Sequence, residues 1–216
     1  MTRFKLKALV ALTALAASGT VLADITIGVI APLTGPASGL GIPVGNQVKL
    51  WPKTIAGEKL NVIVMDDATD PTAGVQHAKK MVTVDKVDVV MGSVATPVAA
   101  AMAQVTEEAA TPQISWSPVA MPSGKDKWLF RLPQSNAVMG HAIIEHMKKQ
   151  GIKTVGFLGY SDAYGETWLN DFKPQAEAAG IKLVQIERFA RADTSVTGQA
   201  LKLVSANPDA MLVVAS

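Results

Sequence analysis

Hydroxyl side chains at the start of a predicted helix are the residues best suited to ligand chemistry. Ser93 and Thr96 follow a short apolar strand and stand at the beginning of a helix that contains Pro97. The first backbone N–H groups of a helix have no partners and the helix dipole is positive there, so this position attracts an anion. The pattern predicts a site for a small anionic group. The alternative is that Thr96 only caps its own helix.

A glycine-rich stretch near the N-terminus invites comparison with a nucleotide-binding turn. Gly39, Gly41 and Gly45 follow the first predicted strand, and Asp66 or Asp67 ends the second, in the place of a ribose-binding acid. The third glycine comes one place late, and the glycines begin eight residues beyond the strand rather than in its tight turn. We therefore interpret the stretch as a loop in which backbone approaches a small ligand.

Neither a metal site nor a catalytic centre is predicted. His141 and His146 share a helix, but their spacing places them on different faces. Asp66, Asp67 and Asp70 lack the further ligands and the glycine of a calcium loop, and a strand end followed by a helix N-cap explains them better. The chain has no Gly-x-Ser-x-Gly elbow and no cysteine to serve as a nucleophile. We therefore expect no metal, no cofactor and no enzymatic activity.

Alternating strands and helices must position these residues. The predicted strands are Ile25–Ala31, Leu60–Met65, Val87–Met91, Gln113–Trp116, Thr154–Leu158, Ile181–Ile186 and Ala210–Ala215. The predicted helices are Pro71–Val84, Thr96–Ala110, Asn136–Lys149, Tyr164–Ala179 and Gly198–Ala206, with a further one over Gly45–Ile55 that Pro52 interrupts. Alternation predicts parallel βαβ units, and the continuous β-branched runs predict strands buried on both faces.

A stretch without periodicity divides the chain. Ser117–Lys127 contains prolines, a glycine and small residues, and Trp128–Leu132 has the pattern of a short extended segment. We place a crossover between two α/β lobes at Pro133–Asn136, which gives a first lobe over residues 24–134 and a second over 135–216. A long surface loop within one domain is the alternative. The last strand has no crossover after it, so we expect the second lobe to be incomplete.

The first 23 residues have the pattern of a secretory signal peptide. Arg3, Lys5 and Lys7 precede the apolar run Ala8–Ala17, and small or apolar residues lead to a cleavage point after Ala23. The remaining chain is close to neutral, which argues against a nucleic-acid partner. The absence of cysteine excludes disulfides and a lipid anchor at the cleavage point. These features predict a periplasmic protein that is not lipid-anchored.

Several short motifs then occur in a characteristic order. They are Ile27–Pro36, Asp66-Asp67, Lys86–Asp88, Gly92-x-x-x-Thr96, Pro112–Ser115, Phe130-Arg131 and Asp162–Gly165. Together they resemble the periplasmic substrate-binding proteins of branched-chain amino acid ABC transporters, of the leucine/isoleucine/valine-binding type. The resemblance implies two Rossmann-like lobes joined by a three-strand hinge. It also implies a monomer that closes on a small amino acid and hands it to a membrane permease.

The resemblance also implies roles for individual residues. Thr96 matches the hydroxyl that holds the ligand carboxylate, beside backbone groups near Ala95. Tyr164 matches a second-lobe aromatic side chain that closes on the ligand, Leu40 stands where a pocket-wall aromatic is common, and Ser117 falls in a segment that supplies another hydroxyl. Asn136, at a position that is frequently aspartate, is a further candidate for ligand binding.

Departures from the family pattern leave the ligand open. The stretch Ser115–Val119 lacks the threonine that commonly follows the fourth strand, and Met139 replaces a frequent glutamine. The acid that pairs with a ligand ammonium would lie beyond Ser216. Aromatic acids, amides and urea, which relatives of the family bind, are therefore alternatives to an amino acid. Two other functions remain open, namely the ligand-sensing module of a receptor and a hydrolase built on the same architecture.

Overall fold

The computed structural model of the protein describes residues 24–216, so the predicted signal peptide lies outside the described residues. Two sheets organise this part of the chain. The first contains six strands in the order β2-β3-β1-β4-β5-β6 and the second contains three in the order β8-β7-β9. None of the helices in residues 24–216 combines the length and the apolar character needed to cross a membrane.

The first sheet is parallel except at one edge. Its strands are β1 (Ile25–Ala31), β2 (Thr54–Ile55), β3 (Glu58–Asp66), β4 (Val89–Gly92), β5 (Gln113–Ser115) and β6 (Leu129–Arg131). The central strand β1 pairs in parallel with β3 and β4, and only β2 runs antiparallel to its neighbour. Val29, Ile30 and Ala31 are fully buried, as the continuous apolar run predicts.

Three helices accompany this sheet. They are α1 (Ser38–Val48), α2 (Pro71–Lys80), which continues into a π-helical turn over Met81–Asp85, and α3 (Thr96–Glu108). The predicted cap of α2 is confirmed, because the Asp70 side chain accepts a hydrogen bond from the Thr72 N–H at 2.8 Å. Helices α2 and α3 pack together over Ile30, Met81, Val90 and Met102, which form the centre of the first core.

The prediction was wrong around α1. The helix lies at Ser38–Val48 rather than Gly45–Ile55, and it includes the glycines that were expected to form a loop. Thr54–Ile55 pairs instead with β3. Glycine has a low helix propensity, but a Cβ at Gly41 would lie 2.0 Å from the Pro32 carbonyl oxygen. Close packing of α1 against the end of β1 therefore requires glycine, and tertiary contact outweighs local propensity.

The second sheet is parallel throughout. It is built from β7 (Thr154–Tyr160), β8 (Lys182–Phe189) and β9 (Ala210–Val214), with α4 (Asn136–Lys149), α5 (Ala163–Ala178) and α6 (Thr197–Ser205) around it. Phe157, Phe172 and Ile181 are its largest fully buried side chains. Burial of an apolar side chain of this size stabilises the fold by about 2–3 kcal/mol.

The two sheets confirm the predicted fold class of parallel α/β units. In the described residues the chain passes from one sheet to the other between the end of β6 at Arg131 and the start of α4 at Asn136. This passage coincides with the predicted crossover at Pro133–Asn136. The division into lobes over 24–134 and 135–216 stays a prediction, as does the three-strand hinge.

Candidate ligand-binding cleft

A cavity of about 350 Å³ lies between the two sheets. It is lined by Leu40, Val94, Thr96, Trp116, Ser117, Pro118, Pro133, Met139, Tyr164, Arg191 and Ser216. Most of these residues follow the carboxyl end of a strand: β4 and β5 in the first sheet, and β7, β8 and β9 in the second. In parallel α/β sheets ligands bind at the carboxyl ends of strands, so this cavity is the candidate site. We call it the cleft.

A larger cavity, about 450 Å³, lies beside α1 and strand β3. Its lining is mainly apolar, with Leu33, Ile42, Trp51 and Val64 among the contributors. It borders one sheet only and lies away from the ends of β4, β5 and the second sheet. Specific small-molecule sites combine apolar walls with convergent polar groups, and the cleft meets that description better.

We call the part of the cleft formed by the first sheet the first wall and the part formed by the second sheet the second wall. Asp66 holds the loop at the first wall and does not itself line the cleft. Its carboxylate accepts hydrogen bonds from the N–H groups of Leu33, Thr34 and Ala68 at 2.8–3.2 Å and from the Thr34 hydroxyl at 2.6 Å. Burial on its own would raise the pKa of Asp66, but these hydrogen bonds together outweigh it, and the pKa lies below the ordinary value of 3.8. The side chain therefore fixes the loop after β1 as a carboxylate.

Asp67 and Ser93 form a buried hydrogen-bonded pair behind the start of α3. The Ser93 hydroxyl donates to the Asp67 carboxylate at 2.7 Å, and the same oxygen accepts the Ala95 N–H at 3.2 Å. Burial raises the pKa of Asp67, and the hydrogen bond from Ser93 offsets part of that rise. Ser93 and the Ala95 amide are thus occupied by structural contacts, which leaves Thr96 as the hydroxyl at this helix start that borders the cleft.

Thr96 is the first residue of α3, and Ala95 is its N-cap. Its side chain is nearly buried, borders the cleft, and makes no hydrogen bond with other residues in the part of the chain that the structure describes. The Thr96 hydroxyl does not cap its own helix, so the alternative explanation of this residue is wrong. Pro97 has no amide N–H to donate. Thr96 can supply both a hydroxyl and a backbone N–H to an anion at the positive end of the helix dipole.

Ser117 adds a second hydroxyl to the first wall. It is nearly buried, its N–H donates to the Ser115 hydroxyl at 3.1 Å, and the two hydroxyl oxygens lie 3.3 Å apart. The Ser115 hydroxyl in turn donates to the Ser117 carbonyl at 2.9 Å. This local turn directs the chain away from β5 and holds Trp116 and Pro118 as apolar lining residues on either side of Ser117.

The second wall begins at the N-terminus of α5. Asp162 caps this helix and accepts hydrogen bonds from the N–H groups of Tyr164 and Gly165 at 2.9 and 3.4 Å. A Cβ at Gly165 would lie 1.9 Å from the Tyr160 carbonyl oxygen, so only glycine allows α5 to start this close to β7. The tight start places Tyr164 on the cleft.

Arg191 completes the second wall from the loop after β8. Its Nε donates to the Asp162 carboxylate at 2.6 Å, and its Nη1 donates to the Ser216 hydroxyl at 3.2 Å. The guanidinium carbon lies 4.0 Å from the centre of the Tyr160 ring and 5.9 Å from that of Tyr164. An ion pair and two aromatic faces therefore hold the guanidinium in a defined plane at the edge of the cavity.

The structure brings four of the six predicted site residues to one cavity. Leu40, Thr96, Ser117 and Tyr164 all line the cleft. Ala95 is fully buried beneath it and contributes no lining surface. The assignment of ligand contacts to these residues stays a prediction.

Asn136 lies elsewhere. It borders a neighbouring cavity of about 350 Å³, which Arg131, Thr167 and Asp171 also line. Its amide is buried and has no hydrogen-bond partner among the described residues. The sequence therefore grouped Asn136 with residues that the fold separates from it.

Seven of the residues that line the cleft were not predicted as site residues: Val94, Trp116, Pro118, Pro133, Met139, Arg191 and Ser216. Arg191 is the main one, with Trp116 and Met139 beside it. Arg191 follows the predicted strand Ile181–Ile186 at its carboxyl end, and the rule that ligands bind at that edge of a parallel sheet was the available signal. Met139 was noted as a departure from the family pattern but was not predicted to line the site.

The sequence pattern of periplasmic binding proteins matches residues 24–216. The chain belongs to the periplasmic binding protein family. Membership in this family is consistent with two α/β sheets that have a cavity between them. Members of the family are solute-binding proteins of the periplasm. The resemblance inferred from the short motifs is therefore confirmed at the level of the family.

Curated relatives support the same assignment. The chain is 32% identical to Leu/Ile/Val-binding protein homolog 3 of Brucella melitensis, in an alignment that covers 87% of this chain and 53% of the relative. It is 30% identical to Leu/Ile/Val-binding protein BraC3 of Rhizobium johnstonii with the same coverage. The chain thus spans about half the length of the curated relatives it matches.

Solved structures agree in fold. An extracellular ligand-binding receptor from Rhodopseudomonas palustris HaA2 is 50% identical with a TM-score of 0.87, covering 90% of this chain and 54% of that one. A solute-binding protein of an ABC transporter from Rhodopseudomonas palustris BisB5, in complex with 3,4-dihydroxybenzoic acid, is 30% identical with a TM-score of 0.78. That alignment covers 88% of this chain and 54% of the solved one.

Proposed function

We propose that the protein captures a small carboxylate-bearing solute between its two sheets and delivers it to an ABC importer. The observation that carries this proposal is the cleft itself, a cavity to which both sheets contribute residues beyond the carboxyl ends of their strands. A site divided between two bodies closes when both contact the same solute. Closure then excludes water and strengthens the polar contacts.

The relatives narrow the chemistry of the solute. The names of two of them refer to leucine, isoleucine and valine, and a solved relative holds 3,4-dihydroxybenzoic acid. These molecules share a carboxylate attached to a largely apolar body. The cleft offers matching surfaces, since hydroxyl groups and a helix start lie beside apolar side chains.

Each part of such a solute has a natural partner in the cleft. We assign the carboxylate to Thr96 at the start of α3, where a hydroxyl and the helix dipole favour negative charge. Ser117 supplies a second hydroxyl nearby on the same wall. The apolar body then lies against Leu40, Trp116 and Tyr164. This assignment fixes only the position of the carboxylate, so the apolar body of the solute can be aliphatic or aromatic.

Delivery to an importer follows from the family rather than from the cleft. Periplasmic binding proteins carry solutes to membrane permeases, and we propose the same partner here, with the protein acting as a monomer. A sensory role would use the same cleft, so uptake must be measured. Deletion of the gene should abolish uptake of the solute, and restoration of a Thr96→Val variant should recover it only partially.

Binding is tested by isothermal titration calorimetry with the protein at the full length that its gene encodes. A panel of L-leucine, L-valine, benzoate, 3,4-dihydroxybenzoate and 4-methylpentanoate covers the two ligand types. We expect saturable binding of at least one carboxylate, with no turnover detected by mass spectrometry of the recovered solute. Binding of uncharged amides such as 4-methylpentanamide or benzamide, with no binding of any carboxylate, would contradict the proposal.

A further inference from the structure

Resting on the proposed binding of carboxylates, we propose that Arg191 restricts the cleft to organic acids that carry no ammonium group. The carboxylate is held between Thr96 on the first wall and the Arg191 guanidinium on the second. This assignment predicts a preference for a simple acid over the amino acid of the same shape. It gives Arg191 the role of a specificity-determining residue.

The charge of the cleft lining carries the first step. Among the described residues that line the cavity, Arg191 is the only one with a charged side chain. The other polar side chains of the lining are neutral, namely the hydroxyls of Thr96, Ser117, Tyr164 and Ser216 and the indole N–H of Trp116. A solute that enters this part of the cavity therefore meets one positive charge, and a carboxylate is the group that complements it.

The position of Arg191 carries the second step. Its side chain is only 12% exposed, and Asp162, Tyr160 and Ser216 fix it at three points. An arginine has five N–H donors, of which the described contacts use one on Nε and one on Nη1. The contacts among the described residues therefore leave three of its donors without a partner, and Arg191 lines the cavity. Because the fork is already held in place, little ordering is needed when it binds an anion.

Asp162, the acid next to Arg191, is poorly placed to bind the ammonium group of a solute. Asp162 is the acid beside the cavity on this wall, and its two oxygens accept hydrogen bonds from Tyr164, Gly165 and Arg191. An amino acid that places its carboxylate between Thr96 and Arg191 brings its ammonium, which is one carbon away, next to the guanidinium. Like charges at such short range repel strongly once water is excluded. Among the described residues, the cleft therefore offers a zwitterion no acid that is free to pair with its ammonium group.

The sharpest test uses two solutes that differ only in the ammonium group. L-leucine and 4-methylpentanoate have the same carbon skeleton and the same carboxylate. Calorimetry on the protein at its full encoded length should show 4-methylpentanoate binding at least tenfold more tightly than L-leucine. Equal affinity, or tighter binding of L-leucine, would overturn the inference while leaving the proposed capture of carboxylates intact.

Substitution of Arg191 then locates the cause. Arg191→Met should weaken 4-methylpentanoate at least tenfold and should narrow or abolish the difference between the two solutes. Arg191→Lys, which keeps the charge but loses the planar fork, should retain the preference with reduced affinity. A preference for 4-methylpentanoate that persists in Arg191→Met would place the discrimination elsewhere and contradict the role given to Arg191.

Arg188 provides a matched control. It lies three residues earlier on β8, forms an ion pair with Glu166, and does not line the cleft. Arg188→Met should leave both affinities within twofold of the wild type. A thermal melt of each variant checks folding, and if Arg191→Met does not fold, Arg191→Lys decides between the outcomes. Loss of the preference in Arg188→Met as well would indicate a general charge effect and would overturn the assignment.

Discussion

The two walls of the cleft offer different groups for the proposed binding of a small acid. The first wall offers neutral donors, namely the Thr96 and Ser117 hydroxyls and the start of α3, while its acids Asp66 and Asp67 are occupied by backbone and hydroxyl donors. The second wall offers an ion pair, Arg191 with Asp162, packed on aromatic rings. Neutral donors can bind any carboxylate. A fixed positive charge also distinguishes acids by the groups that are attached near the carboxylate. In the proposed binding mode both walls contribute to affinity, and the fixed charge on the second wall also provides selectivity.

The largest expected effect concerns how the second wall is built. Gly165→Ala places a methyl group where the Tyr160 carbonyl oxygen lies 1.9 Å away, so α5 must move away from β7. We expect a loss of about 3 kcal/mol in the free energy of unfolding, typical of severe overpacking, together with loss of ligand binding. Urea denaturation measures the first effect and calorimetry the second.

Gly198 supplies the control for this substitution. It lies in α6, and a Cβ there would meet no atom within 4 Å. Gly198→Ala should therefore leave stability unchanged or raise it slightly, since alanine favours helix. Equal tolerance of alanine at Gly165 and Gly198 would show that the close start of α5 is not needed to form the second wall.

Thr96→Val tests the first wall. The substitution keeps the shape of the side chain and removes its hydroxyl, so a hydrogen bond to a charged carboxylate is lost. We expect binding to weaken by about 1.5–2 kcal/mol, for acids and amino acids alike, because this wall does not contact the ammonium group. Calorimetry with 4-methylpentanoate and L-leucine measures both, and Thr83→Val, in the exposed turn after α2, is the control. An unchanged affinity would remove Thr96 from the site.

The fold was predictable from the sequence wherever burial dominates local structure. The apolar runs in β1, β4 and β7 are strands because their side chains are buried on both faces, and the Asp70 cap was visible in the order of residues. Helix α1 was not predictable, since its glycines are unfavourable locally and the contact that requires Gly41 is made with Pro32, outside the helix. Local propensity cannot register such a contact.

The site was predictable in part for a related reason. Thr96 begins α3, and Ser117 lies two residues after β5. Thr96 was predicted from its place at a helix start and from the family resemblance, and Ser117 from the resemblance. Arg191 lies in a loop, and its role depends on Tyr160 and Asp162, which are separated from it by a helix and a strand. The pairing exists only in the folded molecule. Asn136, predicted as a site residue, lines a neighbouring cavity instead of the cleft.

A smaller effect concerns the acid in the loop of the first wall. The folded state lowers the pKa of Asp66 below 3.8, so the unfolded state binds a proton more readily. Its contribution to stability is therefore present above the ordinary pKa and is lost as the pH falls through 3.8 toward the folded value. Asp66→Asn should reduce the loss of stability between about pH 5 and pH 3, as measured by urea denaturation. An unchanged slope would show that Asp66 does not stabilise this loop as a carboxylate.

The smallest expected effect is at the edge of the second wall. Arg188 and Glu166 form an ion pair in which each side chain is 42% exposed, and exposed pairs contribute roughly 0–1 kcal/mol. Arg188→Met should change the midpoint of thermal unfolding very little, and less at high salt than at low salt. A large loss of stability would mean that this pair supports the loop that carries Arg191, and the contrast between the two arginines would then fail.

The most direct measurement is a crystal structure of the protein, at the full length its gene encodes, with 4-methylpentanoate bound. We predict that the solute lies in the cavity between the two sheets, with its carboxylate within hydrogen-bonding distance of both the Thr96 hydroxyl and the Arg191 guanidinium. A solute bound beside α1 in the larger cavity, or a carboxylate in the cleft that contacts neither residue, would contradict it.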